Sequence, residues 1–111
     1  QAIREEPAAY AGIDVADVIG LVSVGKISPN PFSTQTIITY DVRREGEVRL
    51  SVYTLTGRLV TDLVDGRVSP GRHNATWDGR DRFGQEVGSG VYYFSLKSDR
   101  IEQTGKMIVL R

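Results

Sequence analysis

The sequence contains no cysteine. That excludes a disulfide framework, a thiolate nucleophile and any thiolate-ligated metal. Histidine occurs once, as His73, so no pair of imidazoles exists to start a zinc site. Net charge is also missing: 14 lysines and arginines balance 14 aspartates and glutamates. A neutral chain has no long-range field to draw in nucleic acid or an anionic membrane surface, and no nucleic-acid partner is expected. No apolar run approaches the roughly 20 residues of a membrane-spanning helix, so no membrane span is expected. Gln1 opens the sequence without a methionine or an export leader, which reads as a processed chain or a piece cut from a larger one.

What remains is ordinary globular composition, with 40% hydrophobic and 25% charged residues, in a length that suits one domain and one core. Residues 1–20 carry little pattern and read as an arm or linker. Val15, Val18, Ile19 and Val22 sit at helical spacing behind Asp14, but "IGLVSVGKI" (Ile19–Ile27) reads better as a strand. The turn "SPNP" (Ser28–Pro31) then stops it.

From Phe32 onward the apolar period is two. Thr34–Val42 aligns Ile38, Tyr40 and Val42 on one face, and Glu47–Leu55 aligns Val48, Leu50 and Val52. Arg44–Gly46 turns the chain between them, and Thr56–Gly57 signals a tight turn. Arg58–Val64 is a weaker strand, and "DGRVSPG" (Asp65–Gly71) reads as a loop. Arg72–Trp77 aligns His73, Ala75 and Trp77; Gly90–Ser98 aligns Tyr92, Phe94 and Leu96; Ile101–Leu110 aligns Ile101, Met107 and Val109. Seven short alternating strands with a turn about every ten residues predict an all-β, antiparallel seven-stranded β-sandwich over residues 21–111.

The segment most like a site is "WDGRDRFGQEVGSGVYYFSL" (Trp77–Leu96). Asp78, Asp81 and Glu86 are weak calcium candidates. Counting a calcium loop from Asp78 puts Arg80 and Arg82 in ligand slots and Phe83 where the turn glycine belongs, so cations oppose a cation. A turn built by Asp78, Gly79 and Gly84 accounts better for the pattern. Pro29, Asn30, Pro31, Gly57 and Gly90 are the other structural turn positions. Ser69, His73 and Asp78 can be written as a triad, yet no strained G-x-S-x-G elbow presents a nucleophile. Strand parity splits Tyr92 and Phe94 from Tyr93, so with Trp77 they form core rather than a flat sugar platform, and Tyr53 and Tyr93 are the expected exposed pair. The sequon Asn74-Ala75-Thr76 lies mid-strand and reads as chance. No catalytic residue and no cofactor is expected.

The ordered set "SPNPF", "TIITYDV", "GEVRLSVYTLTGRLVTDLVDG", "SPGRHNATWDGRDRFGQEVGSGVYYFSL" and "GKMIVLR" resembles the Ig-like domain family of the flagellar hook-capping protein. That family overlaps the C-terminal sorting domains of type IX (Por system) secretion. The resemblance runs from about Leu21 to Arg111. It rests on Pro29, Asn30, Pro31 and Phe32, on Gly57, on Gly90, Val91 and Tyr92, and on the closing run Gly105, Lys106, Met107, Ile108, Val109, Leu110 and Arg111. It implies a seven-stranded Ig-like sandwich that directs a passenger across the outer membrane to the bacterial surface and is commonly removed when the passenger reaches a lipopolysaccharide anchor. The implied partner is the outer-membrane secretion machinery, with Gly105–Arg111 as the recognition segment and Lys106 and Arg111 as charged gatekeepers around "MIVL".

Two other readings stand beside it. One is an assembly module, either a hook-cap-like scaffold or a surface-fibre subunit whose residues 1–20 pair with a neighbouring subunit's sheet edge. The other is a carbohydrate-binding module using Trp77, Tyr53 and Tyr93.

Overall fold

A computed structural model describes residues 22–111. The arm 1–20 and the helical spacing from Val15 lie outside the described residues. Seven strands follow in chain order: β1 (Val22–Ser28), β2 (Thr36–Val42), β3 (Gly46–Thr54), β4 (Leu59–Val68), β5 (Gly71–Trp77), β6 (Gly90–Ser98) and β7 (Ile101–Val109). They form two antiparallel sheets, of order β1-β2-β5 and β4-β3-β6-β7.

Period-two patterning decides which residues meet between the sheets. On β2, Thr36, Ile38, Tyr40 and Val42 point inward, and on β3 so do Val48, Leu50 and Val52. Ala75 and Trp77 of β5, Phe94 and Leu96 of β6, and Met107 and Val109 of β7 complete the core, with Phe32 from the connecting loop. Burial raises the pKa of the Tyr40 phenol. Tyr92 packs against this core from the rim, its hydroxyl donating to the Gly88 carbonyl at 2.8 Å. Trp77 is 1% exposed and anchors the top of the sandwich. Its ring meets Phe32 edge-on at 5.4 Å and Tyr92 at 5.5 Å, and its Nε1 donates to the Arg80 carbonyl at 3.0 Å. An indole that is buried and still hydrogen-bonded incurs no desolvation penalty at its one polar atom.

The β3–β4 hairpin turns where the sequence marks it. Gly57 takes φ 92°, its N–H donates to the Thr54 carbonyl, and the Thr54 N–H donates to Arg58. Ser28–Pro29 and Asn30–Pro31 are both cis. One expectation needs correction. The stretch from Asp65 is not a loop: β4 runs on to Val68, with Asp65 opposite Arg49 and Gly66 opposite Val48. Asp-Gly has the composition of a turn, but an edge strand tolerates a glycine that a central strand would not. The true connection is only Ser69–Pro70. The first strand runs through Gly25, as its sequence suggests. The β1–β2 register shifts between Val24 and Lys26, so Gly25 is the extra residue of a bulge and β1 continues to Ser28.

Gly105 shows why β7 needs a glycine in mid-strand. A Cβ built there would lie 2.5 Å from the Phe94 ring. Phe94 is 2% exposed and has no room to retreat. We expect Gly105→Ala to cost about 1–3 kcal/mol, the usual range for overpacking, read as a lower urea midpoint at unchanged slope. Replacing Phe94 by Leu in the same chain should recover part of that loss.

Candidate functional site

The last strand is an edge strand, and the C-terminal part of its edge is sealed. In an antiparallel ladder alternate residues turn both backbone groups to the same side. On β7 the even-numbered residues face away from β6, and the loop between β1 and β2 covers those from Lys106 on. Asn30 Nδ2 donates to the Lys106 carbonyl at 3.3 Å, and the Ile108 N–H donates to Asn30 Oδ1 at 2.9 Å. Phe32 continues the seal as a parallel bridge. Its N–H donates to Ile108 at 3.0 Å, and its carbonyl accepts from Leu110 at 2.9 Å. The Asn-Pro-Phe motif, read from sequence as a turn, is a clamp on a strand about 76 residues further on.

Arg111 closes the arrangement. Its N–H donates to Ser89 Oγ at 2.8 Å, Nε to the Val87 carbonyl at 3.0 Å, Nη1 to Ser33 at 3.0 Å and Nη2 to Gly79 at 2.6 Å. Nη1 also lies 3.9 Å from Glu86, and the side chain is 24% exposed. This corrects the gatekeeper reading of Arg111: its guanidinium is folded inward as a tie between the β1–β2 loop and the two arms of the Asp78–Ser89 loop. Gly79 makes the seat, with φ 73° and no side chain; a Cβ there would stand 2.6 Å from Nη2.

Parity then sorts the closing run. Gly105 lies beneath Phe94, and Met107 and Val109 are in the core. Lys106, Ile108 and Leu110 form an outward row, with Ile108 37% and Leu110 55% exposed. Across the strand pair, Lys106 neighbours Tyr93 and Ile108 neighbours Val91. Tyr93 stacks on Tyr53 with ring centres 5.7 Å apart, so each ring gives one face to the other. Further along the same outer sheet, Ser51 and Arg49 both donate to Asp62. Burial there works to raise the Asp62 pKa, but the hydrogen bonds from Ser51 and Arg49 together with the arginine's charge outweigh it and hold the carboxyl below its usual value. On the opposite sheet the hydrogen bond from Arg72 lowers Asp41 likewise.

The acidic residues from Asp78 to Glu86 serve the loop itself. Asp78 Oδ1 accepts from the Arg80 N–H, and Asp81 Oδ1 accepts from the Phe83 and Gln85 N–H groups. Glu86 faces Arg80 and Arg111. Among the described residues these carboxylates do not gather into a metal-binding group. Gly84 turns the loop at φ 86°, and Gly90 opens β6 opposite Val109. His73 Nε2 lies 2.8 Å from the Ser69 backbone carbonyl, which makes it the donor, and its ring stacks on Tyr40. The Ser69 hydroxyl is not its partner, and Asp78 lies beyond the far end of β5, so the written triad is not assembled.

Two facing antiparallel sheets, a closing edge strand and an ordered outer row define an Ig-like β-sandwich module. Residues 32–101 match the FlgD Ig-like domain family, and the chain belongs to that family. No curated protein matches the chain. Among solved structures, the fold is similar to part of dimeric latent PorU from Porphyromonas gingivalis, with TM-score 0.62, 24% identity, and coverage of 80% of this chain and 9% of that one. It is similar also to part of PorZ from the same organism, an essential bacterial surface component of the type IX secretion system. There the TM-score is 0.55 and the identity 18%, covering 90% of this chain and 13% of PorZ. The chain thus spans only a small fraction of either protein's length.

Proposed function

We propose that this domain is a non-catalytic sorting and surface-attachment module of an exported bacterial protein, read by the outer-membrane secretion machinery. The observation that carries the reading is the outward row Lys106, Ile108 and Leu110 on the stretch of β7 whose backbone edge is already clamped. A strand presented this way is recognised through its side chains, not by strand addition. Family membership supports the reading, as does the likeness to a domain within a surface component of type IX secretion. Secretion to the cell surface follows as part of the same proposal.

The test is secretion of a passenger fused ahead of residue 1 in a bacterium with a type IX system. Deleting Lys106–Arg111 is a poor probe, because it removes core residues along with the outer row. The double variant Lys106→Glu, Ile108→Glu changes only solvent-facing side chains, where substitutions usually cost within about 0.5 kcal/mol. Its circular dichroism melt should match the parent, while passenger in the surface fraction falls at least tenfold. Undiminished secretion of this variant would remove the proposal.

A further inference from the structure

At the end of the sandwich that carries Trp77, the β3–β4 hairpin and the Asp78–Ser89 loop enclose an open cleft of about 310 Å³. Its floor is Leu59, Val60 and Val87, and Arg58, Arg82 and Phe83 form its rim. Phe83 is 76% exposed, the most exposed large apolar side chain among the described residues. The Arg82 guanidinium lies over that ring at 5.1 Å. Among the described residues neither Arg58 nor Arg82 has a carboxylate within ion-pair distance. Asp81, which also borders the cleft, turns Oδ1 to two backbone N–H groups of its own loop. Arg82 feels the Asp62 carboxylate only through space, so the cleft offers two cations without a direct ion pair beside apolar and aromatic surface, which suits an acidic peptide carrying a small apolar or aromatic residue.

The chain carries such a peptide. Residues 1–21 hold Arg4 against Glu5, Glu6, Asp14 and Asp17, which leaves that segment at net −3 and, in a neutral chain, residues 22–111 at net +3. Within it, "EEPAAY" (Glu5–Tyr10) sets two adjacent carboxylates ahead of Pro7, Ala8, Ala9 and Tyr10. Its attachment point is at the wrong end for its own cleft. Val22 pairs with Val42 at the end of the sandwich shared by Gly46 and Ser98, on a strand that packs toward β6 and β7. The cleft is at the other end, on the β4 side. From Tyr10 back to Val22 the chain spans at most about 40 Å, which leaves little slack for wrapping around a sandwich whose strands alone measure about 30 Å. A second molecule placed end to end presents its cleft directly.

We propose that the Glu5–Tyr10 segment of one molecule docks in the Arg58–Arg82–Phe83 cleft of a second copy, making a head-to-tail contact that does not close on itself. This is independent of the sorting role, and its test does not use secretion. Sedimentation velocity on the full chain should show average mass rising with concentration, with the rise suppressed by added salt. Arg58→Glu with Arg82→Glu should weaken association at least tenfold, and so should Glu5→Lys with Glu6→Lys. Because mixing the two gives every cleft an arm of opposite charge, the mixture should associate again, each variant alternating with the other. A chain carrying all four reversals should associate again. A parent that stays monomeric at every concentration, as docking within one molecule would give, overturns the proposal. So does association that the four charges leave unchanged.

Discussion

Trp77→Ala lowers the melting temperature on the order of 15 °C. Truncating a buried tryptophan costs about 3–5 kcal/mol in transfer and cavity terms, and in a domain of this size each kcal/mol moves the midpoint by several degrees. Here the loss falls at the upper end. The indole fills the space between Phe32 and Tyr92, and its Nε1 holds the Arg80 carbonyl that begins the long loop. Trp77→Phe separates the two contributions. It keeps most of the ring contacts and gives up the hydrogen bond, so about 1–2 kcal/mol is expected from it. Thermal melts followed by far-ultraviolet circular dichroism measure both. If Trp77→Ala melted within 3 °C of the parent, the described core would be wrong.

Arg111→Ala has the second largest expected effect. The side chain donates to three carbonyls on two loops, Ser33 on one and Gly79 and Val87 at the two ends of the other. Hydrogen bonds from a charged donor contribute about 1.5–3 kcal/mol each, but they share one side chain and do not add. Water reaches part of the vacated site, so a total of about 2–4 kcal/mol is reasonable. Arg111→Lys should recover less than half of this, because an ammonium keeps the charge and cannot present Nε, Nη1 and Nη2 to three carbonyls at once. Full rescue by lysine would show that charge, not the planar fork, holds the loops. Amide exchange adds a local readout. The Leu110 and Ile108 N–H groups, bonded to Phe32 and Asn30, should lose protection in Arg111→Ala well before those of β3.

The strands and their inward faces were legible because one face of each sheet is buried, which forces side chains into strict alternation. Ile38, Tyr40 and Val42 were placed by parity alone, as were Val48, Leu50 and Val52, and all six are core. Asp65-Gly66 misled because local turn chemistry competes with strand pairing, and on β4 pairing with Val48 and Arg49 prevails. The site was less legible. Asn30 was visible as a turn residue, but nothing in its neighbours announces a bond to Ile108, since sequence patterns report only nearby chain. Arg111 looked like a solvated charge for the same reason. Its seat exists because Gly79 lacks a Cβ, and only the folded chain brings the two together. Phe83 and Arg82 likewise gained meaning only when the β3–β4 hairpin was set beside their loop.

The seal between Phe32 and β7 has a mechanical consequence. Val22 and Arg111 lie at opposite ends of the sandwich, so tension between a tethered upstream segment and a held β7 runs along the strands. The ladder bonds of β6–β7 lie across that direction, as do the bridges to Phe32. Force in this direction loads those bonds together in shear, so the strand cannot peel away one residue at a time. Under the proposed attachment role, a domain tied in this way would carry load along its strands.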